Sequence, residues 1–418
     1  MSKFIIKGGK KLKGEITVGG SKNAALPCIA AAILTSEPVL LHNVPRIADV
    51  THLIEILQSL GAEVGWEGEH DLRICCRSLD LKSVDEKAVS RLRGSALLMG
   101  PMLARVGTIV LPEPGGDIIG KRPLDTHFHA LQKLGATVTR TNGHYALATD
   151  GLHGAEIILP EFSVTATENV LMAASRASGE TTLKIAAAEP HVQNLAEMLV
   201  KMGATITGAG THTVTIRGAQ ELRGCEHTII PDMVEMGTFL VVIAATGGEA
   251  KIRNADAHQL DIVLNLVREI GIPFTLEGNV LHVRAAKHLN PFTLKTLPYP
   301  GFASDLAPVF AVLATQADGM SMIHERLYEG RLGYVHWLVK MGANAVVCDP
   351  HRVVIAGPTP LHGYEIRALD IRAGATFVLA GLIADGETVV HDAEVLDRGY
   401  EKLAERLSAL GADITRAA

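Results

Sequence analysis

One unit recurs six times along this chain, at intervals of about 70 residues. Each copy holds a helix with one apolar face. The helix closes on Leu-Gly-Ala or a near variant, and strand residues follow. The closing glycines are Gly61, Gly135, Gly203, Gly271, Gly342 and Gly411. A second landmark keeps step with the first: an Ala/Leu-rich helix, a turn and a short β-branched strand. Its turns fall near Glu37, Gly107, Gly179, Gly248, Gly319 and Gly386.

The spacing of apolar residues explains the first landmark. Leu53, Ile56, Leu57 and Leu60 share one helical face, as do Leu195, Met198, Leu199 and Met202. The glycine that follows supplies the left-handed residue that commonly closes a helix. Ala136 to Ala148 reads as a hairpin turning on Asn142-Gly143. The second helix of each unit is apolar on all sides. Examples are Leu97 to Leu103, Val170 to Ala174, Phe239 to Ala245, Leu306 to Leu313 and Ala375 to Ile383. A helix of that kind is buried. The expected fold is therefore α/β with helices inside and sheets outside, the inverse of the usual α/β plan.

At 418 residues the chain exceeds one typical core, which predicts two domains. Aromatic residues make up only 4%, so the cores must be aliphatic. A net charge of −6 argues against a nucleic-acid partner. No signal-peptide core opens the chain, and Ala24 to Leu34 is too short for a membrane span. The five cysteines Cys28, Cys75, Cys76, Cys225 and Cys348 form no Cys-x-x-Cys, so no disulfide framework or zinc site is expected. They read as buried inert thiols in a cytoplasmic protein with no membrane partner.

Two loops carry residues that a core would not choose. They are Gly19-Gly20-Ser21-Lys22-Asn23 and Gly115-Gly116-Asp117, which continues through Arg122-Pro123-Leu124-Asp125-Thr126-His127. Glycines beside cations at a helix start suit anions, because free N–H groups and the helix dipole point there. An ordinary turn is the alternative for either loop alone. His127 and His129 lack a third ligand and make a weak metal site.

Together with the six repeats, these loops carry a resemblance. The chain resembles the enolpyruvyl transferases over essentially its whole length, and within them the branch that uses UDP-N-acetylglucosamine. Ser21-Lys22-Asn23-Ala24-Ala25-Leu26-Pro27 and Arg122-Pro-Leu-Asp-x-His127 match that branch. Pro231-Asp232, Asp305, Glu329-Gly-Arg331, Asp370-Ile-Arg372 and Asp397-Arg-Gly-Tyr-Glu401 match related segments. The resemblance implies a two-domain inside-out α/β barrel of six units. It places one domain at 22–230 and a discontinuous second domain at 1–21 plus 231–418, with the active site in the cleft.

It also implies the reaction: transfer of the enolpyruvyl group of phosphoenolpyruvate to the 3-hydroxyl of UDP-N-acetylglucosamine, without cofactor or metal. This is the first committed step of peptidoglycan synthesis. By resemblance, Lys22, Arg93, Arg122, Arg331, Arg372 and Arg398 meet phosphoenolpyruvate. Asn23, Arg93, Arg122, Asp125, His127, Ser163, Val164, Asp305 and Leu327 meet the sugar nucleotide. Asp117, Asp305, Lys22 and Arg398 take part in catalysis, with Asp305 as base. Asp305 also has a purely structural reading as a helix N-cap.

Five features depart from the pattern, one of them the run Leu111-Pro-Glu-Pro-Gly115, which is two residues longer than usual. Asp117 stands where most relatives carry a cysteine acid, an exchange some family members make naturally. Fosfomycin alkylates that cysteine, so resistance is expected. Thr126 replaces an aliphatic residue, Thr165 replaces a glycine, and Glu161 stands where some relatives have a lysine near the diphosphate. A glutamate there would repel the diphosphate if it pointed inward. The alternatives are an enolpyruvyl transferase with another acceptor, such as a nucleoside, and a non-catalytic relative that binds UDP-sugar. Oligomeric state is not legible in the sequence.

Overall fold

A computed structural model describes residues 2–80, 86–116, 119–120 and 122–418. The chain divides into two compact units. One comprises the described residues of Met1–Gly19, Asp117–Lys121 and Pro231–Ala418. The other comprises those of Gly20–Gly116 and Arg122–Ile230. Each unit has its own aliphatic core.

The chain belongs to the α/β class, with six small sheets. The module is clearest at 156–217. Strand Glu156–Ile158 leads into the buried helix Val164–Ala174, and strand Glu180–Lys184 returns parallel to the first. The amphipathic helix Pro190–Met202 follows. A hairpin of Thr205–Thr207 and Thr213–Arg217 then adds antiparallel to the returning strand. Four other sheets repeat this four-strand order. The sixth has three strands among the described residues.

All six repeat glycines take φ between +89° and +119°, the left-handed region that a side chain resists. The hairpin at Asn142-Gly143 is as expected, with both residues at positive φ (+52° and +78°) between Thr137–Thr141 and His144–Ala148.

The all-apolar helices are buried. Every residue from Ile371 to Leu382 in helix Ile371–Ile383 is buried, as is every residue of Ala307–Ala314. Helices Val164–Ala174, Met233–Ala245 and Ile371–Ile383 begin earlier than their apolar runs predicted, because their first turns are capped by side chains. Ser21 Oγ accepts from Ala24 N, and Ser163 Oγ accepts from Ala166 N. Asp232 accepts from Val234 N and Glu235 N. Asp370 accepts from Arg372 N and Ala373 N. The run Leu97 to Leu103 differs. It is split between a 3₁₀ turn, Arg93–Leu98, and a short helix, Met99–Val106.

The cysteines correct one expectation. All five are free, but only Cys28, Cys75 and Cys76 are buried. Cys225 is half-buried and Cys348 is exposed. Burial pushes the Cys28 thiol well up and the Cys76 thiol to about 12, so both stay protonated. No described helix is long and apolar enough to cross a membrane.

Candidate active site

Several of the candidate residues lie at the N-terminal ends of the buried helices. Lys22 and Asn23 open helix Lys22–Ala31, and Arg93 opens the turn before Met99–Val106. Ser163 and Val164 open Val164–Ala174. Asp305 lies in the 3₁₀ turn before Ala307–Ala314, and Arg372 in the first turn of Ile371–Ile383. Helix starts carry positive partial charge, so this is where anions are held best.

In the unit 20–116 and 122–230, Lys22 Nζ lies 3.3 Å from Asp49 Oδ2. Asp49 has only 4% of its side chain exposed, so the lysine is held at the helix start by a desolvated partner. Sequence reasoning missed Asp49, since no motif marks it. Arg93 donates to the Arg122 carbonyl, which fixes the two arginines together. Gly116, at φ +116°, presses against both. A Cβ there would lie 2.7 Å from Arg93 Cβ and 2.9 Å from an Arg122 guanidinium nitrogen. The Gly-Gly loop therefore lies on two of the expected cations, and only glycine permits that approach. Asp125 is exposed in the first turn of helix Asp125–Lys133.

His127 is only 3% exposed. Its Nε2 lies 2.7 Å from Thr165 Oγ1. Burial, then the Arg93 charge, push it down to about 3, so the imidazole is neutral at physiological pH. Thr126, equally buried, donates to Glu161 Oε1 at 3.0 Å. The three departures in this segment are thus all engaged in hydrogen bonds.

In the other unit, Asp305 lies between two buried arginines. Its Oδ1 accepts from Arg331 at 2.8 Å and its Oδ2 from Arg372 Nε at 3.0 Å. Both guanidinium pKa values are raised: burial opposes the charge, and the Asp305 carboxylate outweighs it. Arg331 also donates to Ser304 Oγ, which donates in turn to Glu325. Glu325 is fully buried and accepts from Thr296 Oγ1, Leu327 N and Tyr328 N as well. This carboxylate, absent from the sequence reading, orders the turn that carries exposed Leu327 and leads to Arg331. Gly120 and Gly330 bring residues 119–120 onto that turn, where Gly330 N donates to the Ile119 carbonyl. Arg372 lies over the Tyr400 ring, and the Tyr400 hydroxyl meets Thr238 at 3.0 Å. Half-buried Arg398 precedes Gly399, where a Cβ would touch Ile371 and approach Arg372. Arg331 and Arg372 therefore converge on Asp305 beside the start of helix Ile371–Ile383, and the backbone after Arg398 packs against that same helix start. Asp117 lies outside the described residues. Among the described residues, no three His, Cys, Asp or Glu are arranged to hold a metal.

A family profile described as EPSP synthase (3-phosphoshikimate 1-carboxyvinyltransferase) matches residues 6–407. The chain is 42% identical over 422 residues to a UDP-N-acetylglucosamine 1-carboxyvinyltransferase of Treponema denticola, with 99% of each chain covered. It is 43% identical over 421 residues to a protein of the same name from Bradyrhizobium diazoefficiens, covering 99% of this chain and 97% of that one. Among solved structures, the enolpyruvyl transferase NikO from Streptomyces tendae superimposes with a TM-score of 0.90 at 26% identity. That match covers 100% of this chain and 99% of NikO.

Proposed function

The chain belongs to the EPSP synthase family of enolpyruvyl transferases, and from that premise we propose that it transfers the enolpyruvyl group of phosphoenolpyruvate to the 3-hydroxyl of UDP-N-acetylglucosamine. Full-length likeness to relatives of that name supports the acceptor. The observation that carries most weight is the set of cations that each unit presents. Lys22, Arg93 and Arg122 stand in one unit, and Arg331, Arg372 and Arg398 in the other. A small substrate with both a carboxylate and a phosphate needs such a set.

The acceptor oxygen adds to C2 of phosphoenolpyruvate and loses its proton to Asp305. The C3 methylene gains a proton from Asp117. The tetrahedral phospho-ketal then expels phosphate as C3 gives up a proton, which restores the vinyl group. At rest both Asp305 oxygens are occupied by guanidinium donors, one from Arg331 and one from Arg372. An anionic substrate group that takes over Arg331 or Arg372 frees one Asp305 oxygen to accept the hydroxyl proton. A free aspartate titrates near 3.9 and a thiol near 8.5, so Asp117 acts as an acid only with its pKa raised. The negative charge of the substrate phosphate would push it that way, and neighbouring cations would oppose it.

A second reading keeps the chemistry and changes the acceptor. It is favoured by the likeness to NikO and by Thr126, Glu161 and Thr165 in the acceptor half. Product masses from parallel incubations with UDP-N-acetylglucosamine and with nucleosides separate the two. An enolpyruvyl adduct on the UDP-sugar alone is expected; an adduct only on a nucleoside would overturn the first reading. Fosfomycin is expected to leave activity intact. Time-dependent covalent labelling of Asp117 by it would contradict that resistance.

A further inference from the structure

Two hydrogen bonds join the same two segments of the unit 20–116 and 122–230. Thr126 Oγ1 donates to Glu161 Oε1 at 3.0 Å, and His127 Nε2 meets Thr165 Oγ1 at 2.7 Å. Thr126 and His127 are neighbours in the first turn of helix Asp125–Lys133. Glu161 and Thr165 flank Ser163, the N-cap of helix Val164–Ala174. Both side chains on the first segment are only 3% exposed, so neither bond competes with bulk water from that side. Glu161 itself is exposed. Its carboxylate stands two residues before a helix start that favours anions, and a carboxylate free to swing would compete for that place.

We propose that Thr126 and Thr165 are positioning residues for the acceptor. With Glu161 and His127 they form a two-bond clasp. The His127–Thr165 bond fixes the Ser163–Val164 helix start relative to the Arg122–Asp125 segment, and the Thr126–Glu161 bond holds the Glu161 carboxylate away from the diphosphate of the bound sugar nucleotide. This rests on the acceptor reading given above. Thr165 sets the buried, neutral His127, which does not titrate in the physiological range. The His127–Thr165 half of the clasp is therefore insensitive to pH. The Thr126–Glu161 half governs where a negative charge points.

The test is steady-state kinetics on the whole enzyme, with separate KM values for UDP-N-acetylglucosamine and phosphoenolpyruvate at low and high salt. Thr126→Val releases Glu161 and is expected to raise the acceptor KM about tenfold, with little change in kcat or in the phosphoenolpyruvate KM. High salt should narrow the gap, because screening weakens repulsion and not packing. Glu161→Gln added to Thr126→Val should restore the acceptor KM. Glu161→Ala, at an exposed position that does not endanger folding, should leave that KM unchanged or lower. An unchanged acceptor KM in Thr126→Val, no rescue in the double variant, or a raised KM in Glu161→Ala would each overturn the clasp. Wild-type enzyme that fails to turn over the UDP-sugar would instead overturn the acceptor reading, and the clasp with it.

Discussion

Glu168 shows how much one side chain can depend on its surroundings. It lies in the buried helix Val164–Ala174, 2% exposed, with one carboxylate oxygen buried and without a hydrogen-bond partner. Burial, and then the charge of Glu189, push its pKa well above 4.5. The folded state therefore keeps a proton that the unfolded chain would release. Stability from this group is intact below about pH 4.5 and falls as pH rises from there towards the folded pKa. Glu168→Gln removes that penalty. Its melting temperature should match wild type near pH 4 and exceed it near pH 8. An equal shift at both pH values would mean that packing, not ionisation, is at stake. Single residues were the least legible scale in the sequence. Asp305 could be named from its motif, but its two arginine partners sit 26 and 67 positions away and meet it only through the fold. Thr126, Glu161 and Thr165 stood out as misfits for the same reason. Their partners are distant in sequence, so the hydrogen bonds that accommodate them could not be read.

At the scale of elements, one pairing recurs from sheet to sheet. A glutamate on the edge strand meets a basic residue on the parallel strand beside it: Glu15 with Arg253, Glu156 with Lys184, Glu226 with His42 and Glu365 with His391. The registers place each pair diagonally on one sheet face, as strand alternation requires. These pairs are largely exposed, so solvent screens them and they serve mainly to fix register. His42 makes one of them sensitive to pH. Its Nδ1 lies 2.8 Å from Asp71 and its Nε2 2.9 Å from Glu226, and Asp71 first, then Glu226, raise its pKa above 6.5. Its stabilisation is complete below the unfolded pKa and is lost as pH rises through the folded one. His42→Ala should therefore lower the melting temperature more near pH 5.5 than near pH 8.5. A loss independent of pH would contradict a charged His42. Helices and hairpins were legible because period 3.6 and Asn-Gly turns are local signals. The parallel edge strands were not. They are three to five residues long, and two of them, Lys13–Thr17 and Glu226–Thr228, join sheets whose other strands lie far along the chain.

Across the whole molecule, the six-fold repeat explains why the site is built as it is. Each unit holds three copies of the module, and each copy turns one buried helix start into a place for a cation, a cap or an acid. Strand Lys3–Lys7 sits between Glu387–His391 and Asp413–Ala417, so the two ends of the chain complete one sheet. The repeat and the buried helices were open to sequence reasoning because glycine spacing and all-round apolarity mark them directly. The chemistry was open only through resemblance, since its cations are scattered over more than 370 positions, from Lys22 to Arg398. The central claim is enolpyruvyl transfer with Asp117 as the acid. It is tested most directly by phosphate release from phosphoenolpyruvate, with and without UDP-N-acetylglucosamine, for wild type and Asp117→Asn from about pH 5 to about pH 9. The account predicts release that depends on the sugar nucleotide, declines towards alkaline pH, and drops by about 100-fold or more in Asp117→Asn. Full activity in that variant, or release indifferent to the sugar nucleotide, would contradict it.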